Sequence, residues 1–411
     1  MMSMLRKFFI SIFLLLCAFH PSFSFSCPSF VYAYQVPFKK KFLYRRGQIS
    51  LWTFKEGKWL QLPLQINAGY RDGSLEFNPK ENAVGHKLRT YDRFVFDSEK
   101  FSVSRWDLKK APCQGKVVQV RSGKGYGYLA FCRGMRKVHS LNITYDEKKR
   151  LDRSSSYLYK HDSRNHLSFE EIRTIREGSE LLVASHAEQI IQADVKNFFT
   201  MTFDASDIRA SISNQLPGSV GLLGLLKFYL KIFFFSIELA LTPEVQFFDD
   251  SLYMPMSLHS PVDANSMLNV GSGVFYTWKS PPYFSWDFQA SRVPIFGGKG
   301  EFHESKLAYC KGSRCSYKLL GRSEGEVIEL SFSIDRRLVK LNFYPQLITD
   351  MSFVNKEFDD EISENPQGRI GVYFESSQLP KGDHFWDFWI SLAGEKKRCP
   401  VPVSLKSLRA P

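Results

Sequence analysis

Apolar and polar positions alternate in short runs from Phe30 onward, with turn residues between the runs. Residues 60–67 (LQLPLQIN) alternate as a strand does, and Pro63, which has no N–H for a ladder, predicts a sheet edge. Residues 116–120 and 126–131 are strand-like and flank Arg121-Ser122-Gly123-Lys124-Gly125, which predicts a hairpin folded about Gly123. Residues 91–96, 198–203, 274–278, 371–374 and 385–392 read as further strands. Residues 327–334 and 338–343 read as a hairpin about Asp335-Arg336-Arg337. Residues 169–175 and 180–185 form another about Gly178, which weakens a competing helix capped by Ser168 and Glu171. Residues 204–214 predict a short helix, and 70–87 and 254–261 predict loops. Helices do not alternate with strands, so a parallel sheet is disfavoured. The pattern predicts an all-β fold of antiparallel β-sandwich architecture with few short helices.

The most apolar part of the chain after its start is residues 218–250. Residues 220–241 are numerous enough to cross a bilayer as a helix, but they contain Lys227, Lys231 and Glu238. Read with period two, Phe228, Leu230, Ile232 and Phe234 share one side, and Lys227, Tyr229 and Lys231 lie on the other. A strand with one buried face is the favoured reading, against a buried helix or a membrane helix.

Residues 1–26 have the make-up of a secretory signal peptide: Arg6 and Lys7, an apolar core over 8–19, then small residues such as Ser24 and Ser26. Export to the periplasm, the cell surface or the medium follows. Ser24 stands three before Cys27, where lipoprotein signals carry a large aliphatic residue, so a lipid on Cys27 is disfavoured. After cleavage about 385 residues remain, more than one core usually holds, and two domains are expected. Six cysteines would remain, and an even number in an exported chain predicts disulfides. The hairpin about Gly123 brings Cys113 opposite Cys132; Cys310 and Cys315 flank a turn; Cys27 and Cys399 are left to tie the ends together.

Charge places the domain boundary. Residues 27–153 carry 26 Lys+Arg against 11 Asp+Glu, whereas 154–411 carry 27 against 31. The expected units are therefore a signal peptide (1–26), a basic N-terminal β domain (27–153) and a larger C-terminal β-sandwich domain (154–411). Export argues against nucleic acid as a partner, and an anionic envelope component or acidic glycan suits the basic domain better. Arg121, Lys124, Arg133, Arg136 and Lys137 are its candidate anion-binding residues. Membrane contact is a second consequence of this charge.

Catalytic and cofactor motifs are sparse. His161 and His166 lack the spacing of a metal site, no zinc, calcium or cofactor motif is present, and Gly271-Ser272-Gly273 is no nucleophile elbow. Asp287, Asp383 and Asp387 sit among aromatic residues, but nothing in their spacing selects a catalytic pair. Two aromatic clusters can stack on sugar rings: Tyr276, Trp278, Tyr283 and Trp286 in one, Trp389 beside Asp387 in the other. In the strand 385–390, Trp386, Phe388 and Ile390 make the core face, which leaves Asp387 and Trp389 for a ligand. The expected function is that of an exported, non-enzymatic binding protein for glycans or anionic envelope components. The alternatives are a carbohydrate-active hydrolase or lyase using C-terminal carboxylates, and a membrane-tethered envelope assembly protein.

Overall fold

The period-two pattern is realised as four antiparallel sheets in a computed structural model. It describes residues 28–407 except 72–74, 79, 106–111, 114, 133–142, 167, 177, 198–199, 204–205, 233–234, 239–243, 261–262, 282–284, 289–290, 295–309, 312–313, 321–326, 335–337, 339, 341–344, 349–368 and 393–402. The strands are labelled in chain order. A three-stranded sheet has the order β1 (Pro28–Tyr32), β5 (Arg93–Asp97), β4 (Gln65–Asn67). A five-stranded sheet runs β28 (Ser404–Ser407), β6 (Gly115–Ser122), β7 (Gly125–Cys132), β2 (Ile49–Lys55), β3 (Lys58–Leu62).

Two broader sheets complete the fold. The nine-stranded one runs β25 (Pro345–Ile348), β26 (Arg369–Glu375), β19 (Gly273–Lys279), β12 (Ser179–Asp194), β11 (Phe169–Arg176), β10 (Tyr157–His161), β9 (Leu151–Arg153), β8 (Thr144–Asp146), with β13 (Thr200–Phe203) beside β12. The eleven-stranded one runs β14 (Ile208–Pro217), β15 (Gly221–Ile232), β17 (Glu244–Phe248), β18 (Ser251–Ser260), β27 (Gly382–Ser391), β24 (Val327–Ile334), β23 (Arg314–Leu320), β20 (Ser285–Phe288), β21 (Ser291–Pro294). Beside it, β16 (Phe235–Glu238) pairs with β15 and β22 (Cys310–Lys311) with β23.

Alternation sorts these sheets into four layers. Tyr157, Phe169, Ile172 and Val183 of the nine-stranded sheet share a core with Leu222, Phe247, Phe332 and Phe388 of the eleven-stranded sheet. Val31, Phe94 and Phe96 of the three-stranded sheet share another with Ile49, Leu51, Val120 and Phe131 of the five-stranded sheet. The opposite face of the three-stranded sheet, with Phe30 and Val95, packs on Phe248, Tyr253 and Trp389 from the far face of the eleven-stranded sheet. The three-stranded sheet therefore lies between the five-stranded and eleven-stranded sheets. The outer faces belong to the five-stranded and nine-stranded sheets.

The Gly123 hairpin forms, with Ser122 paired to Gly125 and Gly123 at φ +55°; its register sets Gly115 opposite Cys132, so Cys113 lies two residues beyond that pair rather than directly across. Residues 221–232 are a strand, with Lys227 and Lys231 exposed, and no described helix is long and apolar enough to cross a membrane. Pro63 falls between β3 and β4, each at the edge of its sheet.

Several local expectations are corrected. Residues 208–217 form strand β14, paired with β15 throughout, rather than a short helix. Residues 251–260 form β18 rather than a loop: β17 pairs with it only at Leu252 and Tyr253, so Pro255, which faces Asp387 on β27, breaks no ladder on the other side. Strand β24 pairs with β23 on one side and β27 on the other, while most of the expected partner run 338–343 lies outside the described residues. Two of the sheets bring together strands from either side of residue 153. Strands β8 and β9 continue into β10 of the nine-stranded sheet, and β28 returns to the N-terminal sheet beside β6.

Candidate functional site

Two of the predicted aromatic residues lie inside the large sandwich. Trp278 is buried and donates from Nε1 to Ser280 Oγ at 3.1 Å. With the half-buried Tyr276 it lines a cavity of about 20 Å³ among Phe169, Ile172, Val183 and Leu330. That is room for about one water molecule, not a sugar ring. Burial pushes the Tyr276 hydroxyl well above the ordinary tyrosine range. Trp286 lies on β20, opposite Val293 and Leu319, while Tyr283 is outside the described residues.

Trp389 and Asp387 are on the face of β27 opposite Phe388, as the alternation requires, but the three-stranded sheet covers that face. Trp389 is 1% exposed and stacks on Tyr253 at 4.3 Å, with Phe30 at 5.7 Å. Tyr253 donates its hydroxyl to Asp387 Oδ1 at 2.7 Å. Burial raises the Asp387 carboxyl above the ordinary carboxylate range, against the opposing pull of the Tyr253 hydrogen bond and of Arg93. The expectation of a ligand at Trp389 therefore meets a face closed by the N-terminal domain. The sequence pattern divides the faces of the strand but does not reveal what covers each.

A second buried polar cluster surrounds His161. Its Nε2 is 2.5 Å from Asp152 Oδ2 and its Nδ1 is 2.9 Å from the carbonyl oxygen of His166. Both His161 and Asp152 are fully buried, so this pair fastens β9 to β10 without meeting solvent. No group of three or more metal-ligating side chains occurs among the described residues.

A different arrangement lies on the outer face of the five-stranded sheet. Antiparallel register places Lys406, Gln119, Tyr128, Trp52 and Gln61 side by side across β28, β6, β7, β2 and β3. The next row carries Ser404, Arg121 and Tyr126, with the Arg121 guanidinium 5.9 Å from the Tyr126 ring centre. Phe54 and Trp59, paired across β2 and β3, meet edge to face at 5.2 Å, and Trp59 meets Tyr128 at the same distance. Tyr128 is buried beneath this group; Trp52, Phe54, Trp59 and Tyr126 are half-buried; Arg121 and Lys406 are exposed. Trp52 Nε1 donates to Ser50 Oγ at 2.7 Å, which fixes its ring.

Gln119 is 6% exposed, and its amide nitrogen has no hydrogen-bond partner among the described residues. A buried donor left unmade costs about 1–3 kcal/mol, so a ligand oxygen reaching it would recover that energy. Of the predicted anion-binding residues, Arg121 belongs to this face and Lys124 is exposed at the turn of the same hairpin. Arg133, Arg136 and Lys137 fall outside the described residues. The aromatic residues of the face were not singled out from the sequence. The signal was there in Ser50-Leu51-Trp52-Thr53-Phe54 and in Tyr126-Gly127-Tyr128, where every second residue is aromatic, but only pairing shows that the two runs adjoin.

The Cys113–Cys132 disulfide is present, with Cα atoms 6.0 Å apart, and it closes the base of the hairpin that carries Arg121. Cys310 and Cys315 are register partners on β22 and β23, while Cys27 and Cys399 lie outside the described residues.

No family model matches the chain, and no curated relative matches it. Solved structures are similar in part, and two of them serve as examples. An alpha-mannosidase from Enterococcus faecalis V583 aligns with TM-score 0.43 and 8% identity, over 89% of this chain and 41% of that one. A protein in the glycosyl hydrolase family 38 from Enterococcus faecalis aligns with TM-score 0.44 and 7% identity, over 94% of this chain and 46% of that one. The chain spans less than half the length of either, and likeness of this degree carries no argument about activity.

Proposed function

We propose that the protein is an exported binding protein for a glycan or anionic envelope component, and that it holds this ligand on the outer face of the five-stranded sheet. The observation that carries this reading is the row of half-buried aromatic and polar side chains flanked by exposed Arg121 and Lys406. Flat rings give apolar area for a sugar face or lipid glycerol region, and the cations attract negative charge. The N-terminal domain supplies a background field of the same sign, with a surplus of 15 positive charges over residues 27–153. Recognition rather than catalysis suits these groups, because no carboxylate occupies the outward positions of the described strands of this sheet. Export rests on residues 1–26, whose sequence has the charged start and apolar core of a signal peptide.

The test is co-sedimentation of the processed protein with cell-envelope polysaccharide and with liposomes of anionic or neutral lipid. Binding to an anionic or glycan target that weakens with added salt is expected. Equal, salt-independent recovery with every target would contradict the reading.

A further inference from the structure

Resting on that reading, we infer that the ligand is an acidic polysaccharide strand, a sugar chain bearing carboxylate or phosphate groups, lying along the row that crosses the five strands. Neighbouring strands are about 4.8 Å apart, so Lys406 on β28 and Trp52 on β2 stand three strand spacings apart in one line. The order along that line is cation, amide, aromatic, aromatic, amide: Lys406, Gln119, Tyr128, Trp52, Gln61. A chain of rings with polar edges matches such an order, because ring faces stack on the indole while hydroxyls and acidic groups meet the amides and cations.

Charge complementarity selects the acidic class. Arg121 and Lys406 are both exposed, and no carboxylate opposes them on the outward positions of the described strands. The Gln119 amide nitrogen is a second, independent pointer, since it is a buried donor on this face without a partner among the described residues. A membrane surface would also satisfy the cations. It would not use a buried amide donor in the middle of the row, and so the polysaccharide is the better occupant.

The experiment is titration calorimetry of the full processed chain with alginate oligosaccharides, which carry a carboxylate on every ring, and with neutral dextran oligosaccharides of matched length. Anionic liposomes form a third arm. The variants are Trp52→Ala and the exposed pair Arg121→Glu with Lys406→Glu, which keeps the test valid if the tryptophan variant fails to fold. Alginate should bind at low salt, dextran at least about tenfold more weakly, and the charge-reversed variant should lose about tenfold or more in alginate affinity. Equal affinity for alginate and dextran would overturn the acidic class while leaving glycan binding intact. Unchanged alginate binding by the charge-reversed variant would overturn the placement on this face. Capture by anionic liposomes alone would assign the surface to lipid and overturn the polysaccharide. Absence of binding in all three arms would sink both this inference and the reading it rests on.

Discussion

At the scale of single residues, the same side-chain type does different work according to what lies over it. Trp389 and Trp52 both sit in alternating strands, yet Trp389 is sealed between sheets and Trp52 remains half-buried at an outer face. Asp387 illustrates the energetic side. Its carboxyl is raised by burial, so the folded state binds this proton more tightly than the unfolded chain does. The stabilising contribution of the protonated form is therefore full below the ordinary carboxylate pKa near 4 and is lost as pH rises through the raised value. Asp387→Asn, which keeps an acceptor for the Tyr253 hydroxyl, should remove that loss. In thermal unfolding the variant should gain on the wild type at pH 7 and lose the advantage as pH falls toward 4. A difference that does not change with pH would contradict the assignment.

At the scale of elements, the chain is most legible where local chemistry decides the outcome. The hairpin about Gly123 could be read because its turn residues, its alternation and the spacing of its cysteines agree. Strand β15 could be read because Lys227 and Lys231 fall on one side of an otherwise apolar run. Strand β18 could not, because Pro255 signals a loop unless one knows that pairing with its neighbour β17 stops at Tyr253. The segment 208–217 was obscured by its polar residues, which β15 draws into a long antiparallel pair. The Cys113–Cys132 bridge closes a loop of sequence separation 19, and removing it should cost about 3 kcal/mol. Replacing both cysteines by serine should lower the urea midpoint accordingly; an unchanged midpoint would mean that the hairpin is held without it.

At the scale of the whole molecule, the three-stranded sheet packs on a different sheet with each of its faces, and no local pattern encodes that. The junction is polar as well as aromatic. Glu244 of β17 accepts from the backbone N–H of Leu75 at 2.5 Å and lies 3.9 Å from Arg93 Nη2. Gln65 Oε1 accepts from the backbone of Val220 and Gly221, and Ser219 donates to the Leu64 carbonyl oxygen. Arg93 also stacks over Phe30 at 4.9 Å and is 2% exposed. Arg93→Ala should cost about 3–5 kcal/mol, because it leaves Glu244 buried without its cation. Combining Arg93→Met with Glu244→Gln should cost less than the single alanine change, as read from urea unfolding. A double variant as weak as the single one would show that the charge pair is not what the junction needs.

This layering also explains why the candidate site lies on the N-terminal sheet and not in the aromatic-rich C-terminal half. Asp387 and Trp389 form the floor of the junction, and the face that no described sheet covers belongs to β28, β6, β7, β2 and β3. Hydrogen exchange of the processed protein, with and without saturating alginate oligosaccharide, tests that placement most directly. Added protection is expected in those five strands, centred on Gln119, Tyr128 and Trp52, with β19, β20 and β27 unchanged. Protection confined to β19, β20 or β27, with none in the five-stranded sheet, would contradict it.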